Sequence, residues 1–304
     1  MFTDTSAKSL LLVVNPKAGR RMAENKLLDL VSVFTRANYR VTVYPTKKCG
    51  TASYVKDEAP FYDLVVCCGG DGTLSEVIAG ITASGVETPL GYIPMGSTND
   101  FANSIGLPKN PILAAYAIIH GEERYYDIGT LNGRPFSYIA AVGAFTEASY
   151  SAPQRLKNSL GHFAYIIEGA KCLTHIKSFS MRVMHNGKVT SGDYIYASVS
   201  NTTSVGGIIK LSKEAVNFSD GTFELLLVKK PKSLAQAVEL LSDLVAKKLK
   251  STCIDLKHVD KVKLMFDEPT TFTLDGEKGE PITEAVITNR HKAVKFIVPK
   301  RSPL

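Results

Sequence analysis

A chain of 304 residues with 44% hydrophobic content is long enough for roughly two domains and a sizeable core. Its net charge of +7 comes without a basic block of the nucleic-acid-arm kind, so the expected partners are anionic substrates or an anionic membrane rather than DNA or RNA. No apolar run approaches the roughly 20 residues of a bilayer span; Met1 to Leu12 lacks a signal-peptide core, and 5 cysteines without C-x-x-C spacing read as reduced thiols of a cytoplasmic protein.

In chain order, Leu10–Val14 reads as a strand ending at Asn15-Pro16-Lys17-Ala18-Gly19-Arg20. That turn offers a glycine for close backbone approach and Lys17, Arg20 and Arg21 for anion charge; a solvated basic loop is the plain alternative. Leu27, Leu28, Val31 and Phe34 follow at helical spacing, Arg40–Tyr44 alternates as a strand, and Thr51–Glu58 reads as a short helix. The strand Asp63–Cys68 stops in Gly69-Gly70-Asp71-Gly72-Thr73. Thr73 and Glu76 have capping-box spacing at the head of a helix whose stripe is Leu74, Val77, Ile78 and Ile81. A strand near Leu90–Ile93 leads into Pro94-Met95-Gly96-Ser97-Thr98-Asn99-Asp100-Phe101-Ala102, where Ser97, Thr98 or Asn99 can cap the next helix. Ile112–Ile119 supplies a further helix. This alternation predicts a parallel α/β sheet with ligands at the carboxyl ends of its strands.

From about Tyr126 the pattern changes to short strands at Ser178–Met184, Asp193–Ser200, Phe223–Val228, Val262–Phe266 and Thr271–Leu274. Asn132-Gly133 and Asn186-Gly187 read as hairpin turns. Helices are expected near Gly161–Cys172 and Leu234–Leu249. The expected organisation is an α/β domain over 1–127 and a β-rich domain over 128–289.

The Gly-Gly-Asp-Gly-Thr turn carries the clearest chemistry. Glycines there permit left-handed angles and close approach of a ligand, and N–H groups at a helix start take phosphate. An aspartate in such a turn would repel bare phosphate, which points to a divalent cation between them; an ordinary strand–turn–helix corner is the alternative. The run is neither a Walker A loop nor a G-x-G-x-x-G motif, because Ser75 stands where the third glycine would be. Asp100 offers a second carboxylate, and two carboxylates with phosphates suit Mg²⁺. Thr273-Leu274-Asp275-Gly276-Glu277 is either a tight hairpin or the carrier of a general base for a hydroxyl attacking a phosphoryl group.

GGDGTLSEVIAG followed by PMGSTNDFANSIGLP resembles the diacylglycerol kinase catalytic-domain family, specifically its bacterial soluble lipid kinases. VNPKAGR, LKNSLGHFAYIIEG, FSDGTFELLLV and LDGE stand in the family's order and extend the resemblance over nearly the whole chain. The resemblance implies a phosphofructokinase-like parallel α/β domain, a second β-sandwich domain, and a last strand returning to the first domain at about 290–304. It implies ATP on Asn15, Pro16, Lys17, Ala18, Gly19, Arg20 and Thr46, on Gly69, Gly70, Asp71, Gly72, Thr73, Leu74 and Ser75, and on Ser97 and Asn99, with Lys157 and Arg20 adding charge. Asp71 and Asp100 would organise catalytic Mg²⁺, and Asp275 or Glu277 would be the base. A second Mg²⁺ would use Asp220 with main-chain oxygens at Asn217 and Thr222, where a hairpin turn at Asp220-Gly221 is the alternative. The implied reaction moves the γ-phosphoryl of ATP to a lipid hydroxyl, by default diacylglycerol to phosphatidic acid in phospholipid metabolism, and the implied assembly is a homodimer. NAD kinases and phosphofructokinases share the GGDGT turn, sphingoid and other lipids fit as acceptors, and a non-catalytic regulator is the reading from another class. The GSTNDFA segment leans to the lipid kinases, and intact Asp71, Asp100, Asp275 and Glu277 argue against a regulator. Lys247, Lys248 and Lys250, behind the helix at Leu234–Leu249, add the expectation of transient peripheral contact with an anionic membrane.

Overall fold

The computed structural model describes residues 6–47, 49–144, 170–202, 204–205, 209–210, 217–246 and 248–300. The chain forms two compact units, Met1–Ile128 with Arg290–Leu304, and Gly129–Asn289.

The first unit runs β1 (Lys8–Val14), α1 (Ala18–Arg36), β2 (Tyr39–Pro45), α2 (Thr51–Glu58), β3 (Leu64–Gly69), α3 (Asp71–Ser84), β4 (Leu90–Pro94), α4 (Asp100–Ile105) and α5 (Pro111–His120). Its strands are parallel in the order β2-β1-β3-β4, and Phe296 of the C-terminal strand pairs with Leu90 at the β4 edge. β3 (LVVCCG) and β4 (LGYIP) are buried along their whole length, as a sheet covered on both faces requires. On one face Leu10, Leu12, Val66 and Ile93 pack against Leu30 and Phe34 of α1 and Ala115 and Ile118 of α5. The expected α1 stripe is shifted: Ala23, Leu30 and Phe34 are buried, while Leu28 is 81% exposed, because one residue turns the helix by about 100° away from Leu27.

α2 and α3 approach closely at Gly80, where a Cβ would lie 2.6 Å from the Ala52 carbonyl oxygen. Main chain cannot step aside as a flexible side chain does. Gly80→Ala is therefore expected to cost about 1–3 kcal/mol, read as a lower urea midpoint.

In the second unit β5 (Glu122–Leu131), which begins in the first, is followed by β6 (Arg134–Phe136), β7 (Ile139–Gly143), β8 (Phe179–His185), β9 (Lys188–Ser200), β10 (Ser204–Val205), β11 (Ile209–Lys210), β12 (Phe223–Lys229), β13 (Ile254–Val259), β14 (Lys261–Leu274) and β15 (Glu277–Val298), whose end lies in the first unit. The strands β13-β12-β9-β7-β14-β15 are antiparallel neighbours, with β8 pairing both β9 and β14. Phe136, Phe223, Phe266 and Phe272 join one apolar core. Three hairpins use two-residue turns, Asn132-Gly133, Asn186-Gly187 and Asp275-Gly276, with both residues at positive φ. That pairing defines the type I′ turn, whose twist matches the strands.

The strands expected at Val262–Phe266 and Thr271–Leu274 are one strand, β14, with a register shift between Met265 and Thr270. Pro269 falls in that interval and has no N–H for the ladder. Residues 170–175 are helical, and the remainder of the helix expected at Gly161–Cys172 lies outside the described residues. The helix expected at Leu234–Leu249 ends at Val245; Ser233 caps it by accepting from the Gln236 N–H at 3.2 Å, and Ala237 and Leu240 are buried. Among the described residues no helix is long and apolar enough to cross a membrane. All 5 cysteines are free. Burial pushes the Cys68 thiol up to about 12, and Cys67 well above its ordinary value.

Candidate active site

Three turns meet at the carboxyl ends of β1, β3 and β4. The strand order places their shared surface where the sheet's direction of growth reverses, between β1 and β3, and crevices at such points take ligands. The Asn15 N–H donates to the Cys68 carbonyl at 2.9 Å, and the Met95 N–H to the Gly69 carbonyl at 2.7 Å, so each turn leaves its strand tied to the neighbour. The Asn15 side-chain amide donates to the Thr73 hydroxyl oxygen at 3.0 Å, which joins the first turn to α3.

The glycines matter here through space. Gly70 is extended, not left-handed, and neither it nor Gly69 has positive φ, contrary to the expectation for this turn. A Cβ on Gly70 would sit 3.2 Å from the Gly96 α-carbon, and one on Gly69 would sit 2.7 Å from Thr73 Cβ. Gly19 combines the two reasons, with φ +60 and a would-be Cβ 2.9 Å from the Met95 carbonyl oxygen. Its position is also a correction: α1 begins at Ala18, so Gly19 and Arg20 belong to the helix start rather than to a loop.

α3 starts at Asp71, two residues before the expected cap. Thr73 and Glu76 therefore lie inside the helix and form no capping box; the Thr73 oxygen serves Asn15 instead. This puts Asp71 in the first helical turn, where the helix dipole favours its charge. Asp71 is buried, and its Oδ2 accepts from the Thr98 hydroxyl and from the Asp100 N–H, both at 3.3 Å. Asp100 opens α4, and burial pushes its carboxyl above the ordinary carboxylate value. Asn99 does not cap α4 with its side chain. It sits in the left-handed region at φ 51 and turns back, accepting from the Gly96 N–H and donating to the Gly96 carbonyl, each at 2.8 Å. Thr98, left out of the expected site residues, is thus the side chain that connects Asp71 to the third turn; the signal for it was its place in the Ser-Thr-Asn run.

Two carboxylates on adjacent helix starts suit Mg²⁺, which takes few protein ligands and keeps the rest for water and phosphate. Among the described residues no group of three or more His, Cys, Asp or Glu is placed to hold a metal ion. Ser75, Ser97 and Leu74 flank the turns; Leu74 is buried, and its N–H donates to the Gly70 carbonyl as the first turn of α3 closes. Lys17 is exposed beside Asn15, whose Oδ1 accepts its N–H at 3.0 Å, and the Thr46 N–H donates to the Val14 carbonyl at 2.7 Å. Pro16 completes the first turn. Lys157 lies outside the described residues.

In the second unit the two candidate bases differ sharply. Asp275 is 5% exposed, and its carboxylate accepts three main-chain N–H bonds, from Ser137 at 2.6 Å, Tyr138 at 3.0 Å and Ile139 at 3.1 Å. Its own N–H donates to the Ile139 carbonyl. It locks the β14–β15 hairpin onto the β6–β7 connection. Glu277 has a side chain 59% exposed, with Arg134 Nη2 at 3.7 Å. Elsewhere in the same unit, Asp220 Oδ1 accepts from the N–H and hydroxyl of Thr222, both at 2.9 Å, and Asn217 Oδ1 accepts from the Ser219 N–H at 3.2 Å. Each closes a local turn of the kind Asx residues favour.

Glu224, on β12, is a buried carboxyl that sequence reasoning did not single out. Its Oε2 has no hydrogen-bond partner, and burial, reinforced by Asp220, pushes it up to about 8. A carboxyl that binds its proton more tightly folded than unfolded stabilises fully below 4.5 and loses that stability as pH rises toward about 8. Glu224→Gln is expected to flatten this fall in chemical-denaturation curves taken at acid and alkaline pH.

Residues 9–131 match the family model of the diacylglycerol kinase catalytic domain. A diacylglycerol kinase of Bacillus subtilis (strain 168) is 32% identical over 301 residues, covering 96% of this chain and 97% of that protein. A diacylglycerol kinase of Staphylococcus aureus (strain JH9) is 35% identical over 225 residues, 73% of this chain and 71% of its own. A crystal structure assigned as a diacylglycerol kinase from Bacillus anthracis str. Sterne superimposes with a TM-score of 0.79 at 25% identity, over 97% of this chain and 98% of that one. With identity at this level sustained along nearly its whole length, the chain belongs to the diacylglycerol kinase family and is a kinase.

Proposed function

We propose that this kinase transfers the γ-phosphoryl group of ATP to a lipid hydroxyl, with diacylglycerol as acceptor and phosphatidic acid as product. One observation carries the reading: three turns at the strand-order reversal are hydrogen-bonded into one surface bearing Asp71 and Asp100. The N–H groups at the start of α3 donate to phosphate oxygens, with Asn15 and Lys17 of the first turn, and Gly19 and Arg20 at the start of α1, bordering them. Ser97 and Ser75 add hydroxyl donors. Asp71 and Asp100 would hold Mg²⁺, which when bound neutralises charge on the triphosphate. Positioning and charge stabilisation then supply most of the catalysis, since phosphoryl transfer needs little covalent help.

The acceptor hydroxyl must lose a proton, and Glu277 suits that role better than Asp275. Every oxygen of Asp275 already holds main-chain N–H groups, whereas Glu277 is open to a substrate. A second Mg²⁺ belongs to the same reading, on Asp220 with main-chain oxygens at Asn217 and Thr222; Asp220 Oδ2 accepts none of the Thr222 bonds. The fold reading carried with it is a phosphofructokinase-like α/β unit and a β-sandwich. An enzyme acting on a lipid without a span must visit the bilayer, and exposed Lys248 and Lys250 after the helix Leu234–Val245 favour transient docking on anionic lipid. Sedimentation equilibrium tests the homodimer that the family resemblance implies.

The deciding assay is Mg²⁺-dependent transfer of label from ATP to a panel of lipids in mixed micelles, with NAD and fructose 6-phosphate as soluble controls. Label in diacylglycerol is the expected outcome. Label in another lipid, or only in a soluble control, would replace the acceptor named here. ATP binding without any transfer would favour a regulator.

A further inference from the structure

A stacked pair of tyrosines stands beside the turn surface and has no part in the motifs that identify the family. Tyr44 and Tyr54 lie with ring centroids 3.6 Å apart and planes 7° apart, and both are only partly buried. We infer that this pair is the platform on which the purine base of the nucleotide stacks, an inference that rests on the nucleotide reading proposed above.

The placement follows from strand alternation. Val41 and Val43 of β2 pack with the α1–α5 cluster, so Tyr44 turns to the opposite face, where it meets Tyr54 of α2. Tyr44 is the penultimate residue of β2, at the carboxyl end from which the ligand surface is built. Two residues later Thr46 bonds to Val14, and Val14 leads directly into Asn15, whose side chain reaches Thr73. The register sets Tyr44 beside Val13, and Val13 beside Cys67, so Tyr44 stands two strand spacings, roughly 10 Å, from the strand that ends in Gly69. A base held at β2 thus leaves its phosphates over the Gly69–Thr73 turn and their distal end toward Asp71 and Asp100 on the β4 side.

The chemistry fits a base. Burial, reinforced by the neighbouring Glu58, raises the Tyr54 phenol above its ordinary value, which favours a neutral ring there. Each ring fixes the other, so little freedom is lost when a third ring is added. Stacking also explains where base recognition can come from in a site whose remaining groups address phosphate.

The test compares ATP with inorganic tripolyphosphate by calorimetry on the full chain in Mg²⁺. In Tyr54→Leu and Tyr44→Leu, ATP affinity is expected to fall about ten-fold or more, with tripolyphosphate affinity unchanged and Tyr54→Phe like wild type. Equal ATP affinity in wild type and the leucine variants would overturn the inference, as would parallel loss of both ligands. Nitration by tetranitromethane gives a measurement on unaltered protein: ATP, but not tripolyphosphate, is expected to shield Tyr44 and Tyr54, and equal labelling with both ligands would overturn the platform. Wild-type protein that binds neither ligand would sink the nucleotide reading itself, whereas wild type that binds ATP no better than tripolyphosphate would sink only the base platform.

Discussion

Asp71→Ala is expected to lower Mg²⁺-dependent phosphate transfer about 10²–10³-fold, the scale seen when one preorganised charge-stabilising group is removed from a phosphoryl or acyl transfer site. Two consequences of the substitution combine. The carboxylate that would face the cation is gone, and so is the acceptor that ties the Thr98 hydroxyl and the Asp100 N–H to the start of α3. Thr98→Val separates them, because it cuts one tie and keeps both carboxylates. The measurement is ATP affinity titrated against Mg²⁺. Asp71→Ala should lose the Mg²⁺ dependence, and Thr98→Val should retain it with weaker coupling. An Asp71→Ala protein with wild-type Mg²⁺ dependence would remove this residue from the metal site.

The second large effect separates stability from turnover. Asp275→Ala leaves three buried N–H donors, at Ser137, Tyr138 and Ile139, without the carboxylate that accepts them. Each orphaned buried donor costs about 1–3 kcal/mol, and alanine tolerates the left-handed position at φ 51 less well than aspartate, whose side chain can hydrogen-bond locally. The sum is several kcal/mol, enough to lower the melting temperature plainly. Glu277→Gln changes an exposed side chain, so its stability should stay within about 0.5 kcal/mol of wild type. Its turnover should fall about 10²–10⁴-fold if Glu277 takes the proton. Thermal melts and lipid-kinase assays on both variants decide the matter. An Asp275→Ala protein as stable as wild type would refute the lock, and a fully active Glu277→Gln protein would return the base role to Asp275 or to solvent.

Much of the first unit could be read from residue order, because parallel strands buried on both faces are unbroken apolar runs. LVVCCG and the run Leu10–Val14 leave no other economical placement, and the helices between them have to cover both faces. Hairpin turns in the second unit were equally plain at Asn132-Gly133 and Asn186-Gly187, since few dipeptides tolerate two positive φ values in succession. Helix starts were less legible. Capping-box spacing at Thr73 and Glu76 is a local preference, and it yielded to an Asn15–Thr73 bond that joins residues 58 positions apart. The split of β14 was misread for a related reason: Pro269 interrupts a ladder without ending the strand.

What the sequence by itself determined is the repertoire: two alternation patterns, glycine-rich turns after apolar strands, and carboxylates at Asp71, Asp100, Asp275 and Glu277. Only the tertiary structure decided how these residues are used. Gly70 and Gly96 are glycines because two turns press their α-carbons together, a demand set by strand order. Asp275 and Glu277 sit two residues apart and read alike as acids, yet one is locked by three N–H groups and the other stands in solvent. Tyr44 and Tyr54 are ten residues apart with no motif between them, and only the pairing of an edge strand with its covering helix stacks them. Short-range preference fixes which local shapes are cheap, whereas burial and hydrogen-bond completion across distant segments select which side chains are left free for chemistry.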